Sequence, residues 1–266
     1  MKNIKLVLCD LDGTLLDEDK CLDSNIKEIK KQLEDRGVLF SLVSGRNVHI
    51  MKDIVKELDI RLPYVTNNGG NIFVGERCIC EYGMLREDLL IVFGLLDEAG
   101  IPYLAYTNEA IYPRGEHVLL KQFMQRLIGK VDIVNQIEDE SLASQSIFKI
   151  VIVHEDEGIM SKMMELINTR CKQAHCVRSE GDVYTLTHLE ASKGNAVRKL
   201  LEMLDIDKEE TVAFGDNYND ITMFEEVGYS IAMANASPTV QMCADAVTLS
   251  NQQNGVSYYL KEYLLK

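Results

Sequence analysis

Short, almost unbroken apolar runs at 4–9, 38–43 and 211–214 each end abruptly in polar residues, and each lies beside a stretch of helically spaced apolar positions. This alternation constrains the chain more than any other feature. Strands so short and apolar suit burial on both faces, as in a parallel sheet, and parallel neighbours need helical crossovers between them. The crossovers are legible. Ile26, Ile29 and Leu33 share one helix face that stops at Gly37, and Val48, Met51, Ile54, Val55 and Leu58 share another. Near the C-terminus Ala196, Val197, Leu200, Leu201 and Leu204 mark a helix, Met223, Phe224 and Val227 a shorter one, and apolar runs return at 229–233 and 246–249. The expected fold class is therefore α/β, a doubly wound parallel sheet with right-handed crossovers. Such sheets bind ligands outside the carboxyl ends of their strands, which is where the polar residues fall.

Spacing sets the domain plan. Asp10 to Ser44 and Lys193 to Asp216 are each separated by enough chain for one crossover, whereas Ser44 and Lys193 are far too distant for one. An inserted α+β domain is expected at 82–183, with 1–81 and 184–266 forming the core. Within the insertion the pattern reads helix 85–99, strands 103–106 and 110–112, helix 116–128, and strand 132–135. Strand 147–153, helix 157–171 and strand 175–178 follow. A hairpin at 71–74 and 78–81 turns about Gly75.

Composition narrows the function classes. In 266 residues, 28 Lys and Arg stand against 42 Asp and Glu, a formal charge of −14. Phosphate-backbone binding needs clustered cations, so a general nucleic-acid or anionic-membrane surface is not expected. No uncharged apolar stretch approaches the ~18 residues of a membrane span, and no signal peptide is read at the N-terminus. Seven scattered cysteines then read as reduced thiols of a cytoplasmic protein rather than zinc ligands.

The strand ends carry the chemistry. Asp10 and Asp12 lie two positions apart in Asp10-Leu11-Asp12-Gly13-Thr14. Two carboxylates so placed repel unless a proton or cation lies between them, and hard Mg²⁺ prefers carboxylate and main-chain oxygens. Asp-Gly is equally ordinary turn chemistry. Asp216 and Asp220 follow another strand, where Asp and Asn also serve as helix caps. Ser44-Gly45 ends a strand and opens a helix, a place for a phosphoryl group or for a plain N-cap. Lys193 opens a helix whose dipole disfavours a cation, which makes sense if it faces an anion or the acidic cluster; a solvated lysine is the alternative. Four acids at the mouth of one sheet favour a metal site.

In this order Asp10-Leu11-Asp12-Gly13-Thr14-Leu15, Ser44-Gly45-Arg46, Lys193-Gly194 and Gly215-Asp216 with Asn219-Asp220 resemble the four motifs of the haloacid dehalogenase-like superfamily. The long insertion and Asn67-Asn68-Gly69-Gly70 resemble its Cof-type sugar-phosphatase branch, save that Gly70 stands where an alanine is more usual. The resemblance implies a Mg²⁺-dependent phosphatase of small phosphorylated metabolites, sugar phosphates foremost, that works through an aspartyl-phosphate. It implies that Asp10 is the nucleophile and Asp12 the general acid and base. Mg²⁺ would be held by Asp10, the Asp12 carbonyl and Asp216, with Asp220 a ligand through water or an orienting group behind. Ser44, Gly45, Lys193 and Asn219 would receive the phosphoryl oxygens, with Asn68 at the substrate end. The insertion would act as a cap that closes over the strand ends, with Tyr82–Gly83 and Gly181–Asp182 as its hinges. A phosphomutase or phosphotransferase using the same aspartyl-phosphate is a second reading, and a non-enzymatic phospho-receiver or sugar-phosphate-binding regulator a third.

Overall fold

The first apolar run forms strand β1 (Leu6–Cys9), every residue of it buried. The computed structural model describes residues 3–125, 129, 131–135 and 137–266. Helix α1 (Ile26–Asp35) follows and buries Ile26, Ile29 and Leu33, the predicted face. Gly37, at φ +79°, terminates it in the left-handed conformation and donates its N–H to the Glu34 carbonyl (2.9 Å). Strand β2 (Leu39–Leu42) and helix α2 (Val48–Glu57) complete the next crossover. A small sheet then forms from β3 (Tyr64–Thr66), β4 (Asn71–Val74) and β5 (Arg77–Glu81), with β3 and β4 antiparallel.

The inserted region is a unit of its own, comprising Glu81–Ala191 with Asn47–Ile50. It holds α3 (Arg86–Glu98), β6 (Tyr103–Tyr106), β7 (Ala110–Arg114), α4 (Val118–Gln125), β8 (Asp132–Ile133) and α5 (Asp139–Leu142). β9 (Lys149–Val153), α6 (Glu157–Arg170), β10 (Ala174–Glu180) and β11 (Val183–His188) follow. The six strands form one sheet in the order β10-β11-β9-β6-β7-β8, antiparallel except for the β7–β8 pair. Leu89, Val92, Phe93 and Leu96 of α3 and Met160, Met163 and Ile167 of α6 cover one sheet face, packing on Tyr103, Ile150, Ile152, Tyr184 and Leu186. The α+β layer matches the expectation and departs from it in detail. The helix expected at 116–128 is α4, and 126–128 lie outside the described residues. The short helix α5 has no apolar periodicity to announce it. Gly181–Asp182, read as a hinge, is the two-residue turn of the β10–β11 hairpin, because Glu180 pairs with Val183 and Gly181 takes φ +54°. Since β11 also pairs with β9, this unit runs past the expected boundary at 183 to Ala191.

The chain then returns to the first unit, Met1–Arg46, Met51–Cys80 and Ser192–Lys266. Helix α7 (Lys193–Leu204), strand β12 (Thr211–Gly215), helix α8 (Tyr218–Phe224), β13 (Tyr229–Ala232), α9 (Pro238–Met242), β14 (Ala246–Val247) and α10 (Gly255–Tyr259) complete it. Its sheet has the order β14-β13-β12-β1-β2 and every pair is parallel. From β1 the chain builds outward through β2 on one side, and from β12 through β13 and β14 on the other. The crevice between β1 and β12 is therefore the point where the winding reverses, the place such sheets reserve for ligands. Register sharpens this. Cys9 lies opposite both Phe214 and Leu42, so Asp10, Asp216 and Ser44 leave the sheet at one end. Among the described residues no helix is long and apolar enough to cross a membrane.

Candidate active site

Asp10 follows β1 directly and is tied to the neighbouring strand by its N–H, which donates to the Phe214 carbonyl (3.0 Å). Its side chain is buried. Lys193, the first residue of α7, points its ammonium into the same crevice and donates to Asp10 Oδ1 and Asp220 Oδ1, each at 2.6 Å. The lysine side chain is 0% exposed, which removes the surface-lysine alternative. Ser192 caps the helix by accepting from the Asn195 N–H (3.1 Å). The adverse helix dipole is thus met by two carboxylates in direct contact.

Asp220 bears out the capping reading, and its side chain also stands in the acidic cluster. It is the third residue of α8 and completes a capping box with Asn217. Its Oδ2 accepts the N–H groups of Asp216 and Asn217, both at 2.9 Å, while Oδ1 takes Lys193. Asp216 is held by Thr14, whose hydroxyl donates to Oδ1 (2.7 Å). That contact depends on Gly13. It sits at φ +80°, and a Cβ there would lie 2.3 Å from Asp216 Oδ2.

Carboxylate oxygens of Asp10, Asp216 and Asp220 lie within 4.8 Å of one another. Among the described residues one ammonium, in contact with Asp10 and Asp220, faces two buried acids and a half-buried third, so negative charge is in excess. Burial, with Asp220 and Asp216 nearby, pushes Asp10 up to about 7 despite Lys193. Burial and Asp220 likewise raise Asp216 to about 6, against the Thr14 hydrogen bond. Burial opposes the charge on Lys193, but Asp10 and Asp220 outweigh it and raise its pKa above 10.5. The cluster accepts either a proton or a further cation. Asp10 Oδ2 and Asp216 Oδ2 receive no hydrogen bond among the described residues, whereas both oxygens of Asp220 are occupied. This donor set fits a hard divalent ion, with Asp10 and Asp216 as the open ligands and Asp220 orienting them from behind.

The second and fourth motifs meet at a separate group of amides and hydroxyls. Ser44 is buried, and its N–H donates to the Val65 carbonyl (3.0 Å). Helix α2 begins only at Val48, so Ser44 is not its N-cap; the hydroxyl oxygen instead accepts the Arg46 N–H (3.1 Å). The Ser44 carbonyl accepts the Asn68 N–H (3.0 Å), and a Cβ on Gly45 would come within 2.7 Å of Asn68 Oδ1. Asn68, at φ +56°, accepts in turn from Asn219 Nδ2 (2.8 Å). Ser44, Gly45, Asn68 and Asn219 are thereby linked.

Asp12 stands apart from the acidic cluster through its side chain. Arg46 grips the carboxylate with both arms of its guanidinium, Nε to Oδ2 at 2.6 Å and Nη2 to Oδ1 at 2.7 Å, and Lys20 Nζ adds a contact to Oδ1 at 2.8 Å. Partial burial works against the charge, but these hydrogen bonds hold Asp12 down to about 2. Reading along the chain gave Arg46, Lys20 and Thr14 no role, although Arg46 and Thr14 stand inside the quoted motifs. A cation two positions after Ser44, at a strand end facing acids, was the available signal for Arg46. Lys20 lies on a polar loop that offers none.

A family profile described as haloacid dehalogenase-like hydrolase matches residues 7–260. The chain is 27% identical to the putative phosphatase YxeH of Bacillus subtilis, over 98% of each chain. It is also 27% identical to 5-amino-6-(5-phospho-D-ribitylamino)uracil phosphatase YwtE of the same organism, again over 98% of each. Among solved structures, the crystal structure of TM0651 from Thermotoga maritima superposes with a TM-score of 0.85 at 25% identity, covering 97% of both chains.

Proposed function

The chain belongs to the haloacid dehalogenase-like hydrolases, of Cof type, and from that premise we propose that it hydrolyses phosphate monoesters of small polyhydroxylated metabolites, sugar phosphates foremost, through phosphoryl transfer to Asp10. It is a phosphoric monoester hydrolase of that family. One observation carries the mechanism: buried Asp10 has one oxygen fixed by Lys193 and, among the described residues, receives no hydrogen bond on the other, beside Asp216 and Asp220. The sugar-phosphate class draws on the full-length relative YwtE, whose name places its phosphate on a ribityl chain.

In the proposed reaction a carboxylate oxygen of Asp10 attacks phosphorus as the bond to the ester oxygen breaks, and Asp12, which first takes up a proton from solvent against the hold of Arg46 and Lys20, gives that proton to the departing alkoxide. Asp12, now a carboxylate, takes a proton from a water whose oxygen attacks the aspartyl-phosphate. That step releases inorganic phosphate and restores Asp10. Lys193 fixes the nucleophile and offsets the charge that gathers as an anion approaches a carboxylate. The Ser44 hydroxyl, the Gly45 amide and the Asn219 side chain offer donors to the transferring oxygens, with Asn68 holding Asn219 in place. Asp10, Asp216 and the Asp12 carbonyl would hold Mg²⁺, with Asp220 behind them, and the ion would supply Lewis-acid neutralisation of the phosphoryl charge.

The test is phosphate release by the purified protein with Mg²⁺ from p-nitrophenyl phosphate and a panel of phosphorylated sugars, polyols and nucleotides. Asp10→Asn should abolish turnover. Asp12→Asn should keep the fold and Mg²⁺ binding while losing about 10²–10⁴-fold in kcat on alkyl esters. A folded, Mg²⁺-loaded protein that frees phosphate from no ester would overturn the reading. Transfer to a second hydroxyl of the same sugar without free phosphate would replace it with a phosphomutase.

A further inference from the structure

Asp12 is asked to deliver and then remove a proton, yet among the described residues of its own loop only the exposed Lys20 touches its side chain. The residue follows β1 by three positions, its carboxylate is 42% exposed, and among the described residues its only side-chain partners are Arg46 and Lys20. Lys20 is itself 56% exposed and makes a single contact, so it supplies charge with little direction. Arg46 differs. Its side chain is 16% exposed, and its backbone is fixed at both ends. The N–H donates to Ser44 Oγ (3.1 Å), and the carbonyl accepts the Asn67 N–H (2.9 Å). The planar fork therefore projects from a rigid turn and meets both oxygens of the carboxylate, a geometry a lysine cannot reproduce.

From this geometry we propose that Arg46 is a positioning residue of the hydrolase: it aims the Asp12 carboxylate at the leaving-group oxygen and joins that aim to the turn that carries Ser44 and Gly45. The proposal rests on the phosphatase reading above. Proton transfer requires heavy atoms within about 2.6–3.2 Å, and a misplacement of about 1 Å costs on the order of 10²-fold. A carboxylate rotating freely on an exposed turn would seldom meet that condition. A residue anchored beside Ser44 keeps the acid–base group in register with the phosphoryl site through the same few backbone bonds.

Leaving-group dependence tests this. A p-nitrophenolate leaves with little help from an acid, whereas a sugar or polyol alkoxide needs its proton. The ratio kcat/KM, which covers events up to the first irreversible step, is measured for p-nitrophenyl phosphate and for the best alkyl phosphate of the panel, using wild type, Arg46→Ala, Arg46→Gln and Arg46→Lys. The expected result is a loss of about 10²-fold on the alkyl ester against less than about fivefold on the aryl ester. Arg46→Lys should stay closer to Arg46→Ala than to wild type, because charge without the fork does not orient. Arg46→Gln keeps much of the stem and serves if the alanine variant fails to fold. Equal losses on both esters, a rise in KM alone, a gain on the alkyl ester, or full rescue by lysine would each overturn the proposal. Wild type that hydrolyses neither ester would instead remove the phosphatase reading itself, and the role of Arg46 with it.

Discussion

Replacing Lys193 by methionine removes the ammonium that touches Asp10 and Asp220 while keeping an unbranched stem in the same buried space. Deleting one partner of a buried ion pair costs about 3–5 kcal/mol, because a charge is left buried without compensation. Here the cost depends on pH in a direction the structure sets. The lysine's own contribution is present throughout the acid and neutral range, since its pKa lies above 10.5. Asp10 behaves oppositely: burial first, then neighbouring acids, raise it from 3.8 to about 7, which corresponds to ~4 kcal/mol between its two protonation states. A carboxyl raised in this way contributes most below its unfolded value and loses that contribution as pH rises through about 7. Without the lysine, which lowers it, Asp10 rises further, so at pH 8 the variant must either bury an unpaired charge or take up a proton from alkaline solvent, and it should lose roughly 3–5 kcal/mol. At pH 5 Asp10 is protonated and Asp220 retains its two backbone donors, so the loss should shrink to roughly 1–3 kcal/mol. Urea titrations in EDTA at the two pH values, followed by a brief deuterium pulse at one fixed pH and read on peptides of β1 and β12, report the first unit alone. Losses equal within about 0.5 kcal/mol at both pH values would show that Lys193 acts through the packing of its stem, and the electrostatic account would fail.

Two further outcomes follow from the same cluster. Protons and Mg²⁺ compete for Asp10 and Asp216, raised by burial to about 7 and about 6, so Mg²⁺ should raise the thermal midpoint more at pH 8 than at pH 5.5. At 100 times Kd the stabilisation at the higher pH should be ~2.7 kcal/mol, and equal shifts at both pH values would contradict the assigned ligands. Gly13→Ala places a Cβ 2.3 Å from Asp216 Oδ2 in a backbone conformation that costs about 1–3 kcal/mol for other residues. It should abolish the Mg²⁺-dependent shift together with turnover; an unchanged shift would mean that Asp216 does not hold the ion.

Much of the fold can be read along the chain because burial writes a period into it. The 3.6-residue spacing of Ile26, Ile29 and Leu33 and the unbroken apolar run before Asp10 each describe a local environment, and the structure matches both. β11 is not legible along the chain for a related reason. Its run Val183–His188 mixes Thr with Tyr and Leu and follows Gly181-Asp182, a pair that reads equally as hinge or hairpin turn until a partner strand decides.

By itself the sequence determined the α/β alternation, the four polar segments in order and their place at strand ends, since each is a property of neighbours along the chain. Only tertiary structure decided which atoms meet. Arg46 grips Asp12 across 34 positions, Thr14 holds Asp216 across 202, and Lys193 reaches Asp10 across 183. Those pairings depend on strand register and on a few left-handed backbone positions, such as Gly13 and Asn68, that aim side chains across the crevice. Periodicity reports how deeply a residue is buried. The direction a polar side chain takes at the end of a strand is fixed by the neighbour that satisfies it, and that neighbour is brought there by the fold.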